Sequence, residues 1–140
     1  RNAYVIEADS YDKNDAGEVI QINASLIADT SGKNPADEIN PKGVVHWVSI
    51  SHGKQATIRQ YDRLFTHESP DKGVEGFLFY VNPDSLKVIE NCWIEPGLAD
   101  ASNEQTFQFE REGYFVADRY EHSAQQPVFN MSISLRDTWS

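Results

Sequence analysis

Cysteine is almost missing from this sequence: Cys92 stands alone. A single thiol cannot close an internal disulfide, which fits a reducing compartment. It lies in the apolar run Val88-Ile89-Glu90-Asn91-Cys92-Trp93-Ile94, where a small buried residue is expected rather than a nucleophile. No apolar run approaches the roughly 18–20 residues that cross a bilayer as a helix, so no membrane partner is expected. No charged-then-apolar leader opens the chain. Its first residue is Arg1 rather than Met, which points to a piece of a longer polypeptide. Positive charge is scarce too, with 12 Lys and Arg against 22 Asp and Glu and a formal net charge of −10. That balance argues at first sight against a nucleic-acid partner. The deficit is uneven: residues 1–65 hold 7 basic and 9 acidic side chains, residues 66–140 hold 5 and 13. A few converging arginines can still serve RNA locally, with reading done mainly by hydrogen bonds.

Catalytic templates are missing as well. Neither a Gly-x-x-x-x-Gly-Lys-Ser/Thr loop nor a Gly-x-Gly-x-x-Gly turn occurs, so no phosphate cradle is marked. The histidines His46, His52, His67 and His122 lack zinc-ligand spacing, and a packed or solvated role is expected for them. No carboxylate pair sits in an apolar setting of the kind that marks an acid and a base.

What is present reads as strand nearly throughout. Ala3–Ala8 is rich in β-formers, and Val19–Leu26 alternates at Ile20, Ile22 and Ala24. The polar turn Lys13–Gly17 would join them as a hairpin. Asp29–Lys42 reads as a long loop. Gly43–Ser49 and Ala56–Tyr61 are further strands, and Thr66–Gly76, with Pro70 and Gly73, is the natural junction. Gly76–Asn82 fits a short helix or a strand. Leu86–Glu95 and Val128–Leu135 complete the strands, with a hairpin over Thr106–Arg111 and Gly113–Ala117. Short strands at regular spacing with little helix indicate an all-β sandwich or barrel.

The segment Thr106-Phe107-Gln108-Phe109-Glu110-Arg111-Glu112-Gly113-Tyr114-Phe115 holds the most chemistry. In a strand, alternate residues share a face, so Phe107 and Phe109 point one way and Gln108 and Glu110 the other. Arg111 follows the phenylalanines unless a turn or bulge re-aims it. An amide and a guanidinium together suit the Watson–Crick edge of an unpaired base. A core hairpin with ordinary polar residues on its surface fits the same pattern.

Six motifs in order carry a resemblance. They are Gly43-Val44-Val45-His46-Trp47-Val48, Tyr61-Asp62-Arg63-Leu64-Phe65, Asn82-Pro83-Asp84-Ser85-Leu86, Phe107–Phe115, Pro127-Val128-Phe129-Asn130 and Leu135-Arg136-Asp137-Thr138-Trp139. Together they resemble the C-terminal anticodon-binding region of glutaminyl-tRNA synthetases, over essentially the whole chain. The resemblance implies an L25-like six-stranded β-barrel, distal to the catalytic domain, over residues 1–76. Residues 77–140 would be the returning part of a second, incomplete proximal barrel. It implies the tRNA(Gln) anticodon loop as partner, with neither DNA nor membrane, in the cytoplasm. The parent ligase would be a monomer. ATP with Mg would serve a catalytic domain absent here, whose His-Ile-Gly-His-like and Lys-Met-Ser-Lys-Ser-like motifs do not occur, so no cofactor is expected in this piece. By resemblance, Gln108 and Arg111 read the middle anticodon base, a uridine, and Arg1 lies near the first. Met131 departs from the family, which often has arginine there. Two other readings stay open: the equivalent region of a glutamyl-tRNA synthetase, and an all-β protein-interaction module built on the same barrel.

Overall fold

Alternating β-formers separated by polar turns dictate strands, and strands are what the chain forms. The computed structural model describes residues 3–33, 39–72 and 75–135. Among these, seven strands make two sheets and no α-helix occurs. Two compact units result, one ending at Trp47 and the other beginning at Val48.

The first unit is built on an antiparallel hairpin of β1 (Ile6–Lys13) and β2 (Val19–Leu26). Its turn follows from Asn14, whose Oδ1 accepts from the N–H groups of Ala16 (3.0 Å) and Glu18 (2.9 Å). Gly17 supplies the positive φ of 83° that this turn requires. β1 runs on past Ala8, through Asp9, Ser10 and Asp12, which are poor strand formers. Cross-strand bonds offset that cost: Ser25 Oγ donates to Asp9 Oδ2 at 2.7 Å and Asn23 Nδ2 to Ser10 Oγ at 3.0 Å. Thr30, 4% exposed, donates to the Ile27 carbonyl at 2.7 Å and accepts from the Val5 N–H at 2.9 Å.

The second unit holds a five-stranded sheet in the order β4-β3-β7-β6-β5. β3 (Lys54–Tyr61) pairs antiparallel with β4 (Leu86–Ile94) and parallel with β7 (Val128–Ser134). β6 (Gly113–Ala117) lies antiparallel between β7 and β5 (Thr106–Phe109). The sheet thus takes β3 from before the polar stretch Thr66–Gly76 and its other strands from after it. One face buries Ala56, Ile58, Ile94, Phe115, Ala117 and Phe129, with Phe107, Phe109 and Met131 packed against them. Phe129 is fully enclosed, and Phe107 and Phe109 meet its ring at 6.0 and 5.4 Å. Phe109 also stacks on Phe115 at 4.3 Å.

The all-β expectation holds. The resemblance implied a six-stranded barrel, yet neither sheet closes into one among the described residues. Part of the reason is Gly43–Ser49, read from its pattern as a strand, which joins neither sheet and exposes Val45 (64%) and Trp47 (58%). An apolar pattern becomes a strand only where a neighbouring edge takes up its backbone groups. The ambiguous Gly76–Asn82 resolves as a 3₁₀ turn over Phe77–Tyr80.

Candidate nucleic-acid interface

The β5–β6 hairpin presents the candidate residues. Its register sets Phe107 opposite Phe115 and Gln108 opposite Tyr114, and Tyr114 in turn faces Ile133 on β7. Alternation sends Phe107 and Phe109 into the core and leaves Gln108 exposed on the outer face. The hairpin closes through Phe109–Glu112, where the Glu112 N–H donates to the Phe109 carbonyl at 3.0 Å. Within it Arg111 has φ 68°. That left-handed conformation costs a non-glycine residue about 1–2 kcal/mol. The turn takes Arg111 off the phenylalanine side, and its side chain is exposed. Gln108 and Arg111 therefore stand at the same end of one hairpin, one on the strand and one in the turn. Neither is buried.

Gly113 follows because β6 runs close against β7. A Cβ there would sit 2.7 Å from the Ile133 carbonyl oxygen and 3.1 Å from Met131 Cε. Met131 packs against the core. Arg1 lies outside the described residues.

A polar network on the outer face of β3 and β7 was not foreseen from the sequence. Tyr61 Oη donates to Asn130 Oδ1 at 2.8 Å, and Asn130 Nδ2 donates to Asp118 Oδ2 at 2.7 Å. Arg59 reaches the same Asp118 oxygen at 3.2 Å and also pairs with Glu121. Asp118 Oδ1 accepts from the N–H groups of Tyr120 and Glu121, both at 2.9 Å. The Asn130 amide, then the Glu121 and Tyr120 N–H groups and the Arg59 charge, hold the Asp118 carboxyl at about 2. Glu121, through its hydrogen bond, likewise raises the Arg59 pKa. The only sequence signal was that Tyr61 and Asn130 both fall within the quoted motifs.

The remaining polar candidates have structural placements. His122 is 5% exposed and packs edge-on against Phe129 at 5.0 Å, with Nδ1 beside the Val128 backbone and Nε2 without a partner among the described residues. His52 Nδ1 lies 3.1 Å from both Ser49 Oγ and Ser51 Oγ, and His67 Nδ1 accepts from the Ser69 N–H at 3.0 Å. No group of three metal-ligating side chains gathers among the described residues. Cys92 packs beside the core, and burial pushes its thiol pKa up, which disfavours the thiolate a nucleophile needs. No helix among the described residues is long and apolar enough to cross a membrane.

An open sheet end carrying an amide and a guanidinium, in an acidic all-β chain, defines a class rather than a chemistry. The chain belongs to the anticodon-binding domain family of class I tRNA synthetases (E and Q), whose family model matches residues 44–118, including Gln108 and Arg111. It is similar to the Glutamine--tRNA ligase of Serratia proteamaculans, at 50% identity over 140 residues that cover 100% of this chain and 25% of that protein. The Glutamine--tRNA ligase of Cupriavidus taiwanensis is 49% identical over 137 residues, covering 97% of this chain and 23% of that protein. That of Tolumonas auensis is 47% identical over 139 residues, covering 99% and 25%. The chain thus spans about a quarter of the length of these relatives.

Proposed function

We propose that this chain is the tRNA-reading part of a glutamine--tRNA ligase and that it binds the anticodon loop of tRNA(Gln). The observation that carries the proposal is the exposure of Gln108 and Arg111 together at one end of the β5–β6 hairpin, within the family match. A uracil edge offers two carbonyl acceptors around one N–H donor. A guanidinium donates, and an amide both donates and accepts. We assign the middle anticodon uridine to this pair and a position near the first base to Arg1. One good polar base contact contributes about 1–3 kcal/mol of discrimination.

In this reading, attachment of glutamine falls to a catalytic domain outside this chain, with ATP and Mg bound there, in a cytoplasmic, monomeric ligase. The family resemblance divides the chain into a distal barrel (1–76) and the returning part of a proximal one (77–140). For that division we favour a break nearer Trp47, because β3 hydrogen-bonds to strands beyond the Thr66–Gly76 stretch.

The test is Arg111→Ala in the full-length protein that carries this chain. Glutaminylation of tRNA(Gln) is expected to lose about tenfold or more in kcat/KM, in line with one base contact, with the adenylate-forming residues themselves untouched. Unchanged tRNA kinetics would overturn the assignment. The 13 acidic against 5 basic residues in 66–140 favour a second reading, an all-β protein-interaction module. Such a module would show no RNA affinity at any salt concentration.

A further inference from the structure

The aromatic rings of the hairpin sheet divide by face. Phe107, Phe109, Phe115 and Phe129 all pack on the core side. Tyr114 points the other way and is 40% exposed. Its backbone is anchored, since its carbonyl accepts from Ser132 Oγ at 3.0 Å. Among the described residues its ring joins no aromatic pair and its hydroxyl makes no hydrogen bond. Tyr61, by contrast, donates its hydroxyl to Asn130 at 2.8 Å. Register sets Tyr114 between Gln108 on β5 and Ile133, which is 65% exposed, on β7. Directly opposed side chains in an antiparallel pair start only about 5 Å apart at Cβ, so a base lying on the Tyr114 ring brings its edge within reach of the Gln108 amide.

Charge favours the same contact. Arg111 stands between Glu110 and Glu112, and paired carboxylates repel a phosphate. Affinity at this end must then come largely from contacts that tolerate negative surroundings. Stacking on an aromatic face is such a contact, and it does not depend on base identity.

We propose that Tyr114 is the stacking platform for the unpaired base read by Gln108 and Arg111, with Ile133 walling the ring's other side. This rests on the anticodon-reading role proposed above. It separates two tasks: Tyr114 supplies affinity, and Gln108 with Arg111 supplies identity.

The test uses the full-length protein and tRNA(Gln) whose middle anticodon uridine carries a furan at C5, an emitter that responds to stacking. The wild type and Tyr114→Phe are expected to quench the emission on binding. Tyr114→Leu keeps an apolar, though smaller, side chain with no π-face. It is expected to bind about tenfold more weakly and to leave the emission unquenched even at saturating protein. A thermal melt of Tyr114→Leu matching the wild type excludes unfolding as the cause. Should Tyr114→Leu quench like the wild type, the platform is refuted while the reading role of Gln108 and Arg111 survives. Should the wild type fail to bind unlabelled tRNA(Gln), the anticodon reading itself falls, and the platform with it.

Discussion

The two units reach strand structure by different means. In the β1–β2 hairpin no strand residue is buried, and Ile20, Ile22 and Leu26 are 66%, 63% and 63% exposed. In the five-stranded sheet Phe129 is 0% exposed and anchors a cluster from β3, β4, β6 and β7. An isolated two-stranded hairpin is marginal in water, whereas three or more strands sharing a hydrophobic face hold on their own. Hydrogen bonds such as those of Thr30 and Asn14 shape the first unit, and apolar burial stabilises the second. An alternating pattern alone therefore does not tell a strand that is stabilised from one that is merely shaped. The candidate interface sits on the stabilised sheet, as a reading surface that must hold its geometry requires.

The sharpest way to break this contrast is Phe129→Ala. Losing a fully enclosed aromatic side chain costs about 3–5 kcal/mol. Hydrogen exchange is expected to accelerate across β3, β4, β6 and β7 while that of the β1–β2 amides stays unchanged. Equal acceleration in both units would mean that they share one source of stability.

A smaller effect is expected from acid. The Asp118 carboxyl is held at about 2, below its ordinary value of 3.8. A depressed folded-state value stabilises fully above the ordinary value, and that stabilisation is lost as pH falls through about 2. The second unit should accordingly lose about 2 kcal/mol between roughly pH 4 and pH 2. In Asp118→Asn this loss should vanish from chemical denaturation curves recorded at each pH. A loss of the same size in that variant would place the acid sensitivity elsewhere.

The smallest effect reverses sign. Arg111→Gly relieves the left-handed strain but adds freedom to the unfolded chain, so a net gain of about 0.5–1 kcal/mol is expected. The denaturation midpoint should rise slightly while glutaminylation by the full-length protein falls. A variant less stable than the wild type would refute the strain, and one that stays fully active would refute the reading role of Arg111.

Much of the placement of the candidate residues was legible in the sequence because it is local. Period-two alternation sent Phe107 and Phe109 inward and Gln108 outward, although the strand read as far as Arg111 ends at Phe109 and the turn runs over Phe109–Glu112. Arg111 was legible only as a conditional, since strand parity placed it with the phenylalanines and the turn moved it. The Arg59–Asp118–Asn130–Tyr61 network was illegible. Its members are far apart along the chain and meet only because β3 and β7 pair in parallel, which no periodicity encodes. Gly43–Ser49 failed for a related reason, because its pattern fits a strand but pairing depends on a partner. β1 was read too short because Asp9 and Ser10 look like breakers until Ser25 and Asn23 stand across from them.

The placement of β7 has a consequence for how the molecule is made. β6 is flanked by β5 and β7, and β3 finds its parallel neighbour only at Val128–Asn130. During synthesis, the hairpin bearing Gln108 and Arg111 emerges before the strand that clamps its far side. Closing so long a loop is a slow step set by topology. Until β7 docks, the nascent hairpin has Phe107, Phe109 and Phe115 but no Phe129 to pack them against, so a chain stalled just short of residue 128 would display that aromatic face to whatever binds unfolded protein.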